Sequence, residues 1–265
     1  MIRRALQILT IALLAGCQSQ RVNPSFPVTT EKAEEDLASM QKDRRQLDRP
    51  LVLLGGFADV GVGTAIMRTR LGKVVDDDRI IIVTFANCTS FEQCRQRVVR
   101  AVDERFGSGS DKTRTVEVDV IGQSMGGLVG LMASSDLSDG ARRLNAVRLF
   151  TICSPLQGAK LAEFARPVLT EMHRDMRPGS DLYQRLGVAP ASCEVYSYTR
   201  LDDRTVGEKY AAPAGHTAWW LDHPPMLGWH FLGILDDRIL ADIARRLRDE
   251  PPYAITPPAP LPPGA

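Results

Sequence analysis

The chain has 265 residues, of which 44% are hydrophobic and 25% are charged, so it is long enough for one large globular domain or two small ones. Its 33 basic and 32 acidic residues give a net charge of +1 and are mixed along the sequence without a basic stripe. This balance argues against a nucleic-acid-binding protein, and we expect no nucleic-acid partner.

The N-terminus has the features of an export signal. Two arginines precede an apolar run, residues 5–15, that is too short to span a bilayer, and small residues follow it. The sequence LAGC, ending at Cys17, resembles the bacterial lipobox, in which the signal is cut before a cysteine that is then lipidated. The resemblance implies a signal peptide over 1–16 and a membrane anchor on Cys17. An ordinary cleaved secretory signal with an incidental cysteine is the alternative.

In the sorting pattern of such lipoproteins, Gln18 in place of an aspartate implies the outer membrane, with the protein in the cell envelope facing the periplasm. That compartment is oxidising, and Cys88 and Cys94 lie close together in the sequence, so we expect a disulfide between them. Cys153 ends one strand-like run and Cys193 begins another, so we expect both to be buried thiols. No spacing of cysteine or histidine suits zinc, and we expect no metal and no organic cofactor.

The polar residues 17–49 predict a charged helix or tether, and the proline-rich residues 250–265 cannot continue a helix or strand. The folded domain is therefore expected over 50–249. There, strand-like runs alternate with helical ones, which predicts an α/β fold with a doubly wound, mostly parallel sheet covered by helices on both faces. In chain order the predicted strands are PLVLLGGF, RIIIVTF, TVEVDVIG, AVRLFTICS and CEVYSYT, and the helices lie near 63–72, over 90–106, after Ser124 and over 236–248.

The stretch VEVDVIGQSMGGLVGLMA, residues 116–133, runs a predicted strand into a predicted helix through a turn of the G-x-S-x-G form. In that pattern the serine, here Ser124, sits on a strained turn with its hydroxyl exposed above the sheet. Gly122 and Gly126 are needed because a side chain at either position would collide with the neighbouring strand or helix. The N–H of Met125, at the helix start, can stabilise negative charge on a substrate oxygen.

Four further segments resemble the α/β-hydrolase superfamily, in its branch of bacterial triacylglycerol lipases and esterases, over about residues 50–248. LVLLGGF is similar to the first core strand and the His-Gly pair of lipases, which implies that Phe57 supplies a second oxyanion N–H. TICSPLQGAKLAEFA and DMRPGSDLYQRL resemble segments near the lid and imply a helical, lid-like insertion. LDDRTV and HFLGILDDRIL resemble the acid and histidine loops. Gly55 and Leu156 replace histidines of the family, which weakens the likeness to classical lipases.

A serine nucleophile requires a histidine base that a carboxylate orients, and in this fold the chain order is serine, acid, histidine. Asp203 follows the predicted strand CEVYSYT and matches the D-x-x-V pattern of the family, with Asp202 as the neighbouring alternative. His230 precedes a final amphipathic helix and is the expected base, with His223 as the runner-up. Asp236 is a competing partner for His230, but its position at a helix start favours a cap.

The resemblance implies a serine hydrolase that cleaves carboxylic esters of lipids or other acyl groups through an acyl-enzyme. Trp219, Trp220 and Trp229 lie near the expected base and form either an acyl-binding wall or simple packing against the core. The alternative function is a catalytically inactive hydrolase fold that serves as a binding or scaffold lipoprotein. Intact Ser124 and His230 argue against that alternative.

Overall fold

The computed structural model describes residues 21–57, 59–75, 78–137, 141–164, 170–189, 192–222 and 229–264. The predicted signal peptide, Cys17 and His223 lie outside the described residues. Within them, the strands are β1 (Leu51–Leu54), β2 (Ile80–Val83), β3 (Arg114–Gln123), β4 (Arg143–Ile152), β5 (Glu194–Arg200) and β6 (Trp219–Leu221). These six strands form one sheet in the order β2-β1-β3-β4-β5-β6, and every neighbouring pair is parallel.

Helices cover both faces of this sheet, which confirms the predicted doubly wound α/β fold. The helices are α1 (Thr30–Lys42), α2 (Val62–Leu71), α3 (Phe91–Phe106), α4 (Met125–Ser134), α5 (Lys160–Phe164), α6 (Glu171–Asp175), α7 (Asp181–Val188), α8 (Trp229–Leu232) and α9 (Asp237–Leu247). Leu51 and Leu53 of β1 point into the core beneath α1, α2 and α9, whereas Val52 and Leu54 point into the core beneath α3 and α4.

The helical insertion expected from the lid segments is present between β4 and β5, where α5, α6 and α7 lie. It reaches the loop that follows β1, because the imidazole of His173 on α6 packs edge-on against the ring of Phe57 with centroids 4.6 Å apart. The insertion therefore contacts the loop that was expected to form the oxyanion hole.

Residues 21–49 belong to the folded body, which corrects the expected tether. Helix α1 is charged on its outer side, but Ala33, Leu37 and Met40 recur at helical spacing and are buried in the core shared with α9. Arg245 of α9 also donates to both carboxylate oxygens of Asp36 on α1, at 2.6 and 2.8 Å. A narrow apolar stripe and a bidentate ion pair thus fix α1 to the body.

The proline-rich tail is likewise ordered rather than detached. The indole of Trp219 donates to the carbonyl of Ile255 at 2.9 Å, and that of Trp220 donates to the carbonyl of Pro260 at 3.0 Å. The N–H of Ile255 donates to the carbonyl of Ser25 at 2.7 Å. Proline keeps its carbonyl acceptor although it lacks the N–H, so the tail binds the edge of the sheet without becoming a strand. The folded body extends over 21–264 rather than 50–249.

Cys88 and Cys94 are free thiols in this structure, which corrects the expected disulfide to a pair of neighbouring thiols. Burial raises the pKa of the Cys94 thiol, and the adjacent Cys88 thiol raises it further. Cys153 is a buried free thiol as expected, and Cys193 is a half-buried one. Burial also raises the pKa of Cys193, to about 11.

Candidate active site

The serine turn has the strained geometry that the sequence predicts. Ser124 lies between β3 and α4 with φ 50° and ψ −126°, a conformation that side chains rarely adopt. A Cβ at Gly122 would lie 2.4 Å from the Cα of Gly127, and one at Gly126 would lie 2.4 Å from the carbonyl oxygen of Leu54. Both positions exclude any side chain, so strand, turn and helix pack closely enough to raise the serine hydroxyl above the sheet.

The serine, the histidine and the acid meet at the carboxyl ends of the strands. The Nε2 atom of His230 lies 2.6 Å from the Oγ atom of Ser124, and its Nδ1 atom lies 2.9 Å from the Oδ2 atom of Asp203. All three side chains are buried, with Ser124 the most exposed at 8%. The chain separations of 106 and 27 residues show that the fold, not local sequence, assembles the site. His230 lies in the short helix α8 rather than in the expected loop.

The two adjacent aspartates after β5 have different environments. Asp203 is 2% exposed, and its Oδ1 atom accepts the N–H groups of Thr205 at 2.9 Å and Val206 at 3.1 Å. Asp202 is exposed and lies within 3.9 Å of Arg21. The Asp-x-x-Val pattern therefore corresponds to a turn in which the carboxylate caps its own backbone and keeps the second oxygen for His230.

The expected oxyanion donors lie on either side of the serine. Met125 is the first residue of α4, where an N–H has no intrahelical acceptor. A Cβ at Gly56 would lie only 3.4 Å from the Cβ of Ser124, so the loop after β1 passes directly beside the serine and carries Phe57 with it. Two backbone donors at a helix start and an adjoining loop can together stabilise an oxyanion.

Two residues that the sequence did not single out organise this site. Asp59 holds the loop after β1: its Oδ1 atom accepts the N–H of Gly61 at 2.8 Å, and its Oδ2 atom accepts the N–H and the hydroxyl of Thr64, both at 3.3 Å. Gln123, which is 3% exposed, donates from Nε2 to the carbonyl of Phe231 at 3.4 Å. No motif marks Asp59, although an aspartate shortly before a helix is a common cap signal.

The remaining candidates lie elsewhere. Asp236 caps α9 and accepts three hydrogen bonds from Arg238, as its position at a helix start predicts. His216, another histidine that follows Asp203 in the chain, is an exposed loop residue. Trp219 and Trp220 are buried against the tail, so for these two the packing interpretation applies.

A buried thiol and a buried guanidinium lie close to the acid. Burial raises the pKa of Cys153 well above its usual value, and the charge of Asp203 raises it further. Cys153 therefore remains a neutral thiol and cannot compete with the serine as a nucleophile. Burial lowers the pKa of Arg200, and the negative charges of Asp236 and Asp203 oppose this decrease.

The described part of the chain holds no group of three or more histidine, cysteine, aspartate or glutamate side chains that could bind a metal ion. Among the same residues, no helix is both long enough and apolar enough to cross a membrane.

Three solved structures are similar to this chain at low sequence identity. The esterase domain of a Rhodothermus marinus protein is 16% identical with a TM-score of 0.43, over 75% of this chain and 86% of that one. A carboxyl esterase from a metagenome is 13% identical with a TM-score of 0.46, over 78% and 76% of the two chains. A Bacillus licheniformis lipase in its propeptide form is 14% identical with a TM-score of 0.48, over 81% and 52%. No family profile and no curated protein matches the sequence.

Proposed function

We propose that this protein is a serine hydrolase that cleaves carboxylic esters through an acyl-enzyme intermediate. The observation that carries the proposal is the continuous relay from Ser124 Oγ to His230 Nε2 at 2.6 Å and from His230 Nδ1 to Asp203 Oδ2 at 2.9 Å. A serine hydroxyl is a weak nucleophile unless a positioned base removes its proton, and this relay supplies the base and its orienting carboxylate.

In the first half of the reaction, Ser124 Oγ attacks the ester carbonyl while His230 Nε2 takes the hydroxyl proton. The N–H groups of Met125 and Phe57 bind the oxygen that becomes negatively charged. His230 then returns the proton to the leaving alcohol, and Asp203 stabilises the imidazolium and holds its tautomer. Water repeats the sequence on the acyl-enzyme and releases the acid, so neither metal nor cofactor takes part.

Esters of lipids or other acyl groups are the substrates that we propose. Phe57 and Phe231, the residues at the oxyanion loop and directly after the base, are 38% and 61% exposed and offer apolar surface to an acyl chain. The predicted lipid anchor on Cys17 would keep the enzyme in the cell envelope, at the outer membrane, where such esters are abundant.

Hydrolysis of p-nitrophenyl esters of increasing acyl length by the unlipidated body tests this proposal, with Ser124→Ala as the blank. We expect activity that Ser124→Ala abolishes to within the background rate, because that substitution removes the nucleophile. A chain-length optimum then distinguishes an esterase from a lipase.

Labelling with a fluorophosphonate separates the proposal from the alternative of an inactive scaffold. A competent serine reacts covalently even when the natural ester is unknown, and Ser124→Ala should remain unlabelled. Folded wild-type protein that resists labelling would refute the enzyme and favour the scaffold. The anchor has its own test: Cys17→Ala in the full-length precursor should abolish membrane fractionation of the processed chain, and continued fractionation after signal removal would refute lipidation.

A further inference from the structure

Arg21, the first residue that the structure describes, forms a hydrogen bond and charge contacts beside the candidate active site. The N–H of Arg21 donates to Asp222 Oδ2 at 2.6 Å, and its guanidinium lies 3.5 Å from Asp222 Oδ1 and 3.9 Å from Asp202 Oδ2. Asp222 directly follows β6, and Asp202 precedes the acid of the relay. The chain therefore enters the folded body at the carboxyl edge of the sheet, the edge at which Ser124 and His230 lie.

The segment after Arg21 is packed rather than loose. Asn23 donates from Nδ2 to the carbonyl of Trp220 at 2.8 Å, and Phe26 is 1% exposed. Cys17 precedes Arg21 by four residues, and four residues span at most about 14 Å. A lipid anchor at Cys17 would thus be held close to this edge of the sheet. A free tether over residues 17–49, as the sequence suggested, would have let the folded body take any orientation on the membrane.

Exposed apolar side chains concentrate at the same edge. Seven of the ten large apolar side chains that are exposed among the described residues lie in loops or helix starts that follow the carboxyl end of a strand, or next to Arg21. They are Val22, Phe57, Val60, Val62, Leu161, Phe231 and Leu235. An open groove of about 500 Å³ runs from this edge along α2 and is lined by Val60, Val62, Ala65 and Ile66. Val188, the most exposed of the remaining three, lies where α7 ends, shortly before β5 begins at the opposite edge.

We propose that the carboxyl edge of the sheet is a membrane-docking surface and that a lipid bilayer is its occupant. The proposal rests on the anchor at Cys17 and the hydrolase activity proposed above, and it narrows the substrates to acyl esters that the membrane itself presents. The short link from Cys17 to Arg21 holds this edge near the membrane, and the exposed apolar side chains can insert into the lipid. Together they restrict the orientation of the folded body on the membrane more than either would alone. The mouth of the active site then faces the lipid.

Fluorescence quenching in reconstituted vesicles tests this orientation. The lipidated full-length chain carries Ser124→Ala so that no lipid is cleaved, and Cys88→Ser and Cys193→Ser so that no half-buried native thiol reacts. A bimane label is attached at Val62→Cys or, as the matched control, at Val188→Cys. The vesicles contain phosphatidylethanolamine and phosphatidylglycerol with a nitroxide on some of the acyl chains, and circular dichroism verifies that each labelled chain is folded.

The label at position 62 is expected to be quenched at least roughly threefold more strongly than the label at position 188, because β5, which begins shortly after position 188, spans seven residues and so separates the two edges by roughly 20 Å. Equal quenching, or stronger quenching at 188, would overturn the proposal. So would a full-length chain that does not associate with the vesicles. Quenching reports the orientation of the body and does not depend on catalysis, whereas ester hydrolysis reports the activity. The two measurements therefore show separately whether the docking proposal or the proposed hydrolase activity fails.

A spacer isolates the contribution of the short link. Ten glycine and serine residues inserted after Gln20 should reduce the difference between the two labels at least roughly twofold, because a chain of that length releases the body from the anchor point. A difference that does not change would refute the role assigned to the contacts of Arg21.

Discussion

His230 is joined to Asp203 through a single carboxylate oxygen. The Oδ2 atom lies 2.9 Å from the imidazole Nδ1 atom, while the backbone N–H groups of Thr205 and Val206 occupy the Oδ1 atom. The carboxylate cannot rotate without losing two hydrogen bonds, so one oxygen is permanently directed at the imidazole. This arrangement also dictates how an amide at the same position would be oriented.

Asp203→Asn should lower kcat about 10³- to 10⁴-fold with little effect on the fold. The two backbone donors would retain the amide oxygen and direct the amide NH2 group at His230, which favours the tautomer that cannot accept the serine proton. The measurement is kcat on a p-nitrophenyl ester, together with the thermal midpoint. Asp202→Asn is the matched control and should keep the wild-type kcat, because Asp202 is exposed and its carboxylate lies 3.9 Å from the guanidinium of Arg21 rather than at the imidazole. Equal losses in the two variants would contradict this assignment of the acid.

Asp59→Ala should lower kcat about 10- to 100-fold, an increase in activation free energy of roughly 1.4 to 2.7 kcal/mol, with a smaller change in KM. The carboxylate fixes the loop that carries Phe57, and an oxyanion donor contributes most when it is held in place before charge develops. Steady-state kinetics on a soluble ester measure the effect.

Thr64→Val serves as the graded control for that prediction, because it removes one hydroxyl contact of Asp59 and leaves the backbone contacts in place. Its kcat should lie between those of the wild type and Asp59→Ala. A loss confined to KM in Asp59→Ala would show that the loop binds substrate without stabilising the transition state.

The parts of the fold that the sequence predicted are those in which local chemistry determines the structure. Glycine is required at positions 122 and 126, on either side of Ser124, because no side chain fits at either position. The Asp-x-x-Val pattern was readable because the Asp203 carboxylate accepts the N–H groups of the residues two and three positions later. Strands β1 and β2 are continuous apolar runs, LVLL and IIIV, so the sequence predicts them without any tertiary information.

The parts that it did not predict depend on contacts far apart in the chain. Helix α1 has only a narrow apolar stripe, and its partner Arg245 lies 209 residues from Asp36. The tail is held at Trp219 and Ser25, and its composition alone suggests a detached segment. The six-residue spacing of Cys88 and Cys94 fits a small disulfide loop and also fits two thiols at the start of α3. Local sequence patterns do not show which distant residues a helix, a tail or a thiol will contact, and those contacts determine the structure at these three places.

Leu37→Ala should lower the free energy of unfolding by about 2 to 5 kcal/mol, because it leaves a cavity between α1 and α9. Leu161→Ala is the matched control and should change it by less than about 0.5 kcal/mol, since that leucine is 56% exposed. Urea unfolding followed by tryptophan fluorescence compares the two. If Leu37→Ala were as stable as Leu161→Ala, α1 would not be part of the core.

The ion pair between Asp236 and Arg238 at the start of α9 should make the free energy of unfolding depend on pH in the acid range. Burial opposes ionisation of Asp236, but the hydrogen bonds and charge of Arg238 outweigh it and keep the pKa of Asp236 below its usual value. A carboxyl with a lowered pKa in the folded state stabilises the protein above the unfolded pKa of about 3.9 and loses that contribution as the pH falls towards the folded value.

Asp236→Asn should therefore reduce the free energy of unfolding by about 2 kcal/mol at neutral pH, because it removes the carboxylate that pairs with the buried guanidinium of Arg238. The difference from the wild type should shrink as the pH falls below about 4, where the wild-type carboxyl also becomes neutral. Asp136→Asn, at the exposed ion pair with Arg143 3.1 Å away, is the control and should cost less than about 1 kcal/mol at any pH. Urea unfolding between pH 7 and 3.5 measures both variants. A difference for Asp236→Asn that stays constant through this range would mean that the charge of Asp236 does not stabilise the start of α9.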